Sequence, residues 1–222
     1  MAVTRSEIPS AFNVADFYIL PHLKARAGSP YMTCGDQVLT FGQLHENANR
    51  VGNALRALGV QMEDRVMMLM HDTLSFPPVF FGAIRIGAVA VPVNTLLSAK
   101  DYLYYLNDSR AKVLIVDQAL WPQIEPIAGQ LRYLKHIVIG NGSVAGRPSL
   151  DDLVAKASPA LETELMSPDD PAFWLYTSGS TGAPKAAVHL HHDMVYVSDH
   201  YAKPVLGLTE KDVTFSASKF FF

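Results

Sequence analysis

Residues 172–187 read AFWLYTSGSTGAPKAA and join an apolar, aromatic run to a loop rich in glycine and hydroxyl groups. Lys185 is the only charged side chain between Phe173 and Ala187. Glycine lets the backbone turn tightly, and free N–H groups, hydroxyls and one lysine can bind phosphate oxygens. A flexible surface linker has a similar composition, but it would not usually follow an apolar strand. The sequence therefore predicts a phosphate-binding loop, with Thr177, Ser178, Gly179, Ser180, Thr181, Gly182 and Lys185 as its binding residues.

This loop differs from the best-known phosphate loop, in which Gly-Lys is followed by Ser or Thr. Here Ala183 and Pro184 separate Gly182 from the lysine, and Ala186 follows it. Pro184 disfavours helical angles at Ala183, so no helix is expected to begin at Gly182. The sequence favours a strand–turn–strand instead.

The 222-residue chain has an ordinary globular composition, with 49% hydrophobic residues, 18% charged residues and a net charge of −3. Its length suits one large domain or one and a half. Because there is no basic excess, nucleic acid and anionic membranes are not expected as partners. The longest charge-free runs, 86–99 and 171–184, contain proline and polar residues and fall short of the ~18 apolar residues of a membrane span. The one cysteine, Cys34, fits a reducing compartment, and a cytoplasmic protein is expected.

Short apolar strands alternate with helices along the chain. Thr40 and Gln43 form a capping box before a helix whose apolar residues recur at helical spacing as far as Leu58, with Gly59 as its stop. The other predicted helices cover 76–86, 98–108, 120–131, 150–157 and 192–201, and the predicted strands cover 66–70, 89–91, 112–116, 136–139, 172–176, 187–190 and 213–216. This alternation predicts an α/β fold of layered, mostly parallel sheets with helices on both faces.

The histidines after the loop are interpreted as a polar strand-to-helix junction that could line the nucleotide or acyl cavity, and the aspartates outside the loop as non-catalytic. Strand alternation would place His189 and His191 on one face and His192 on the other, so no metal site is expected there, even with His200 nearby. A further set of carboxylates is expected to be solvated caps or loop residues: Asp117, Asp151, Asp152, Asp169 and Asp170.

The chain ends in Ser-Lys-Phe-Phe-Phe, residues 218–222. Three consecutive aromatic residues are rare at a native terminus because exposed apolar ends promote aggregation. A truncation within a domain is therefore expected.

Three segments in order resemble the acyl-adenylate-forming superfamily of acyl- and aryl-CoA ligases, luciferases and peptide-synthetase adenylation domains. They are LTFGQL at 39–44, IRIGAVAVPVN at 84–94 and the loop TSGSTGAPK at 177–185. Within that superfamily, residues 76–97, 170–176 and 215–221 are similar to the benzoate- and 4-hydroxybenzoate-CoA ligases. The departure is Ala186, where the family usually has glycine, and only a modest change in loop mobility is expected from it.

The resemblance implies that residues 1–222 are part of a large N-terminal AMP-binding domain, without the rest of that domain or the small C-terminal domain. It implies an ATP-dependent aryl-acid CoA ligase that forms acyl-AMP and then the CoA thioester. The implied reactants are ATP, Mg²⁺, coenzyme A and a small aromatic carboxylic acid, and a homodimer is one assembly it allows. Lys185 would act in catalysis, and Phe220, Phe221 and Phe222 would line the acid pocket.

Other interpretations stay open on the sequence alone. The chain could come from a fatty-acyl-CoA ligase or a peptide-synthetase-type adenylation domain, or it could be a non-catalytic nucleotide-binding fragment. Phe220–Phe222 could equally be core residues at the end of a buried strand. By itself the chain is expected to be inactive and to bind ATP weakly or not at all.

Overall fold

The computed structural model describes residues 7–177 and 183–222. Seven α-helices lie within these residues: α1 (Val14–Arg26), α2 (Phe41–Ala57), α3 (Phe76–Arg85), α4 (Ala99–Asp108), α5 (Trp121–Ile124), α6 (Leu150–Lys156) and α7 (His191–Val197). The strands there are β1 (Pro30–Cys34), β2 (Gln37–Thr40), β3 (Arg65–Leu69), β4 (Val89–Pro92), β5 (Val113–Asp117), β6 (His136–Gly140), β7 (Pro171–Thr177) and β8 (Lys185–Leu190). No helix in these ranges is both long and apolar enough to cross a membrane.

The main sheet has the strand order β6-β5-β3-β4-β7-β8 in the described residues. Strands β3 to β7 are parallel, whereas β8 runs antiparallel to β7. The strands β1 and β2 form a separate antiparallel pair. The predicted α/β fold with a mostly parallel sheet is therefore confirmed.

Helices cover both faces of this sheet, because alternate residues of each strand enter different cores. In β3, Val66 and Met68 pack into a core shared with α1, α2 and α3. Met67 and Leu69 point the other way and pack with α4 and α5. Each of these four side chains is almost completely buried.

The helix starts predicted at Thr40 and Ser98 are confirmed by their capping hydrogen bonds. Thr40 Oγ1 accepts a hydrogen bond from the Gln43 N–H at 3.2 Å, and Gln43 Oε1 accepts one from the Thr40 N–H at 2.9 Å. Ser98 and Asp101 form the same reciprocal box at the start of α4. Gly59, beyond the end of α2, has a φ of +78°, an angle that favours glycine.

Two glycines allow α2 and α3 to approach closely. A Cβ atom at Gly82 would lie 2.7 Å from the Ala48 carbonyl oxygen and 2.9 Å from the Val51 side chain. A Cβ atom at Gly52 would lie 3.1 Å from the Gly82 carbonyl oxygen. The helix pair therefore has no room for a methyl group at either position.

Three predicted elements differ from the structure. The helix predicted over 192–201 is α-helical only as far as Val197 and continues as a π-helix over Ser198–Ala202. The helix predicted over 120–131 is broken into a 3₁₀ turn (Gln118–Leu120), the short α5 and a second 3₁₀ segment (Glu125–Gln130), because Pro122 and Pro126 lack the N–H groups that a continuous helix needs. The strand predicted over 213–216 is wrong. That segment has no pairing strand among the described residues, and Val213 is 98% exposed.

Candidate functional site

The loop identified from sequence joins β7 to β8. These strands pair in antiparallel register from Trp174↔Val188 to Thr177↔Lys185, which is the last pair before the loop. The predicted strand–turn–strand is therefore confirmed in its two arms. Five predicted phosphate-binding residues lie outside the described residues: Ser178, Gly179, Ser180, Thr181 and Gly182.

The two described binding candidates, Thr177 and Lys185, face each other at the mouth of this hairpin. Thr177 Oγ1 donates to the Lys185 carbonyl oxygen at 3.4 Å, and both residues are exposed. No carboxylate in the described part of the chain forms an ion pair with the Lys185 ammonium group. Ala186 pairs with Tyr176 inside β8 and does not have a positive φ, so the methyl group fits the strand as expected.

The hairpin mouth lies at the carboxyl edge of the parallel strands, the edge where open α/β sheets bind ligands. Thr177 ends β7 there, as Asp117 ends β5 and Gly140 ends β6. Strand order reverses at β3, because β4 lies on one side of β3 and β5 lies on the other, and β4 separates β3 from the hairpin strand β7. Lys185, the first residue of β8, therefore lies at the edge of the sheet that suits a ligand.

Asp117 organises the loops at this edge. One of its carboxylate oxygens accepts the His71 backbone N–H at 2.8 Å and lies 3.1 Å from His71 Nδ1. The other accepts the side-chain amide of Asn141 at 2.8 Å. Asp117 is only 1% exposed, so its assignment as a solvated residue was wrong: the His71 backbone N–H and the Asn141 side-chain amide replace water as hydrogen-bond donors to the buried carboxyl group. The sequence signal for this burial was the position of Asp117 at the end of the apolar run VLIVD, residues 113–117. The expectation holds for Asp151 and Asp152, which lie exposed in the first turn of α6.

The three C-terminal phenylalanines occupy different environments. Phe221 is buried at 5% exposure, Phe220 packs its ring 5.2 Å from that of Phe76, and Phe222 is 76% exposed. Asp72, in the loop after β3, accepts the Phe220 N–H at 3.2 Å and lies 3.6 Å from the Lys219 ammonium. This segment is therefore tied to a loop that leaves the carboxyl edge of the sheet, a tie that sequence reasoning missed.

The histidines of the β8–α7 junction are separated by the structure. His189, the next-to-last residue of β8, stacks on Phe173 with ring centroids 4.5 Å apart. His191 begins α7 and is buried, so the predicted shared face of His189 and His191 is wrong: strand alternation stops at Leu190. His192 lies near Asp169, at 3.1 Å. Across the described ranges, no three His, Cys, Asp or Glu side chains gather into a group that could hold a metal ion.

Comparisons with known proteins identify the family of this chain. The family model described as "AMP-binding enzyme" matches residues 22–222. The benzoate–CoA ligase of Thauera aromatica is 44% identical over 218 residues, which are 97% of this chain and 41% of that protein. A solved structure of the anthranilate CoA ligase AuaEII with anthranoyl-AMP has a TM-score of 0.96 at 38% identity, over 99% of this chain and 42% of that one. A benzoate CoA ligase structure from Burkholderia xenovorans LB400 has a TM-score of 0.85 at 37% identity, over 95% of this chain and 41% of that one.

These relatives are much longer than the region compared. The chain spans about two fifths of their length. Because the family model covers all but the first 21 residues, the chain belongs to the AMP-binding enzyme family.

Proposed function

We propose that this chain is the part of an ATP-dependent aryl-acid CoA ligase that binds the ATP polyphosphate and one wall of the acid. The observation that carries the proposal is the 44% identity to a benzoate–CoA ligase over nearly the whole chain. The hairpin supports it, because Lys185 lies at the carboxyl edge of the sheet, where open α/β sheets bind ligands, and forms no ion pair with a carboxylate among the described residues. The chain would be part of a larger N-terminal AMP-binding domain in a cytoplasmic enzyme.

The proposed reaction has two halves. A carboxylate oxygen of the acid attacks the α-phosphorus of ATP, the bond to the β-phosphate oxygen breaks, and acyl-AMP and pyrophosphate form. The thiol of coenzyme A then loses its proton and attacks the acyl carbon, and AMP leaves with the acyl oxygen. The first half exchanges a poor leaving group for a good one, so the protein mainly orients reactants and stabilises charge on phosphate oxygens.

Lys185 is proposed to stabilise the pyrophosphate as it leaves. Its ammonium group is exposed at the hairpin mouth, and the backbone beside it is paired with Thr177. A lysine provides three N–H donors and a compact positive charge, which suits a polyphosphate. The hydroxyls and backbone N–H groups of 177–182 are proposed to bind the β- and γ-phosphates.

The acid is proposed to lie against the aromatic segment 220–222. Phe220 is held on Phe76 and by the Asp72 carboxylate, so its ring belongs to an anchored surface. Aromatic rings contact one another edge-to-face or offset, with about 1 kcal/mol per pair beyond burial. Such a wall would favour an aryl acid over an aliphatic acid.

Magnesium is proposed to enter with ATP. Mg²⁺ usually binds substrate phosphates together with one or two carboxylates and several waters. Within the described residues, no three His, Cys, Asp or Glu side chains lie close enough together to hold a metal ion. We therefore assign no residue of this chain as a magnesium ligand.

Acid-dependent exchange of pyrophosphate into ATP tests this function in the complete protein that contains the chain. Benzoate and 4-hydroxybenzoate are expected to support exchange faster than a medium-chain fatty acid or an amino acid. Exchange driven mainly by the fatty acid or the amino acid would instead identify another branch of the family. For the isolated chain, calorimetry with ATP is expected to give weak or no binding, and efficient thioester formation by it would contradict that expectation.

A further inference from the structure

Helix α4 contacts both arms of the β7–β8 hairpin. On the outgoing arm, the Tyr104 hydroxyl donates a hydrogen bond to the Pro184 carbonyl oxygen at 3.1 Å. This carbonyl belongs to the peptide group that also contains the Lys185 N–H. The contact therefore fixes the backbone immediately before the lysine.

The incoming arm is held by the same helix. The Tyr176 ring stacks on Tyr105 with centroids 4.1 Å apart and planes 11° apart. The Tyr176 hydroxyl donates to the Asp108 carboxylate at 2.6 Å. Burial is the main cause that raises the pKa of Tyr176, and the hydrogen bond to Asp108 is the next. The hydroxyl therefore stays protonated and remains a donor.

Helix α4 is itself firmly placed. Its start is capped by Ser98 and Asp101, and the side chains of Tyr102 and Leu106 are buried in the core beneath the sheet. The Tyr102 hydroxyl also donates to the Asn94 carbonyl at 2.9 Å. A contact from this helix can therefore position a less constrained partner.

The outgoing arm is that partner. Strand β8 is at the edge of the main sheet, and its outer side has no strand neighbour in the described part of the chain. At the hairpin mouth, the side-chain bond from Thr177 to the Lys185 carbonyl is long, at 3.4 Å. The Tyr104 bond is shorter and comes from outside the hairpin.

We propose that Tyr104 is a positioning residue for Lys185. Its hydroxyl holds the peptide group between Pro184 and Lys185, and this peptide group sets the direction in which the lysine side chain leaves the backbone. The inference rests on the proposed function, since it concerns the lysine assigned to pyrophosphate. Tyr104 does not contact the phosphates in this proposal and acts only through the backbone of Pro184 and Lys185.

The variant Tyr104→Phe removes the hydroxyl and keeps the ring. In the complete protein, benzoate-dependent pyrophosphate exchange is expected to slow about three- to tenfold, the effect of losing one hydrogen bond, with little change in the KM for benzoate. Tyr133→Phe is the matched control, because Tyr133 is similarly exposed but packs on Arg110, away from the hairpin, and its variant should exchange at the parent rate.

A double variant separates positioning from general stability. If Tyr104 acts through Lys185, adding Tyr104→Phe to Lys185→Ala should cause almost no further loss. The same three- to tenfold loss in both backgrounds, or no loss from Tyr104→Phe alone, would overturn the proposal. A wild-type protein without any acid-dependent exchange would overturn the proposed function instead.

Hydrogen exchange tests the contact independently of activity. In the complete protein, Tyr104→Phe should accelerate amide exchange in residues 183–190 about three- to tenfold while exchange in α4 and the melting temperature remain close to the parent values. Unchanged exchange in that segment would show that the hydroxyl does not hold the arm.

Discussion

The backbone N–H of Val14 donates a hydrogen bond to Nδ1 of His191 at 3.1 Å and so joins the start of α1 to the start of α7. The ring is buried at 1% exposure, and Phe12 meets it edge-on. Nδ1 must be unprotonated to accept this bond, so the imidazole is neutral. Burial lowers the pKa of His191 from 6.5 to about 4, against a smaller opposing effect of Asp170.

His191 therefore makes stability depend on pH. As the pH falls below 6.5, the unfolded chain gains a proton that the folded chain resists, so the free energy of unfolding decreases. By pH 4 this group should remove about 3 kcal/mol. Urea unfolding of the chain from pH 7 to pH 4 measures the slope, and His191→Gln should reduce it. Burial also lowers the pKa of His22 and His45, which act in the same direction. The difference in slope between the parent chain and the His191→Gln variant isolates the contribution of His191, and equal slopes would contradict its role.

Asp117→Ala should destabilise the chain by about 1–3 kcal/mol, because it removes the buried carboxyl group that accepts hydrogen bonds from the His71 N–H and the Asn141 side-chain amide. The free energy of unfolding in urea measures this loss. Asp151→Ala is the control, since Asp151 is exposed in the first turn of α6, and it should cost less than about 1 kcal/mol. A loss at Asp117 no larger than at Asp151 would show that the network does not hold the carboxyl edge.

Gly82→Ala should cost about 1–3 kcal/mol by pushing α2 and α3 apart, since the new methyl group would lie 2.7 Å from the Ala48 carbonyl oxygen. Thermal unfolding can detect a change of this size. Gly129→Ala provides the comparison: a Cβ atom there has nothing within 4 Å, and the residue has no positive φ. Equal melting temperatures for the two variants would rule out tight packing at Gly82.

Phe222→Ala in the complete protein should lower kcat/KM for benzoate about fivefold, from the loss of roughly 1 kcal/mol of ring contact, and should affect a medium-chain fatty acid less. Steady-state assays with both acids measure the ratio. Phe215→Ala is a suitable control because Phe215 is also highly exposed. Equal losses for both acids would argue against a selective aromatic wall.

Local signals in the sequence predicted most of the fold. The capping box at Thr40 and Gln43 and the stop at Gly59 depend on contacts within a few residues, and each is confirmed. The failures concern neighbours that are distant in sequence. A strand over 213–216 would need a pairing partner, and the burial of Asp117 depends on donors 24 and 46 residues away.

The candidate site also has one part that local sequence predicts and another that depends on residues distant in sequence. Lys185 and the two hairpin arms could be found from one short segment, because glycine, hydroxyl and lysine chemistry is local. The contact from Tyr104 to Pro184 spans 80 residues, and it arises only when β7 pairs beside β4 and brings the hairpin to α4. No short-range pattern around Tyr104 distinguishes it from another half-exposed helix residue.

The rate of benzoyl-AMP formation in a single turnover, in the complete protein and its Lys185→Ala variant, tests the proposed role of the hairpin most directly. Loss of a charge that stabilises the departing pyrophosphate should slow this step about 100-fold or more, with benzoate binding little changed. Lys211→Ala, at another exposed lysine, should keep the parent rate. A Lys185→Ala enzyme that forms benzoyl-AMP as fast as its parent would contradict the assignment of this hairpin to the polyphosphate.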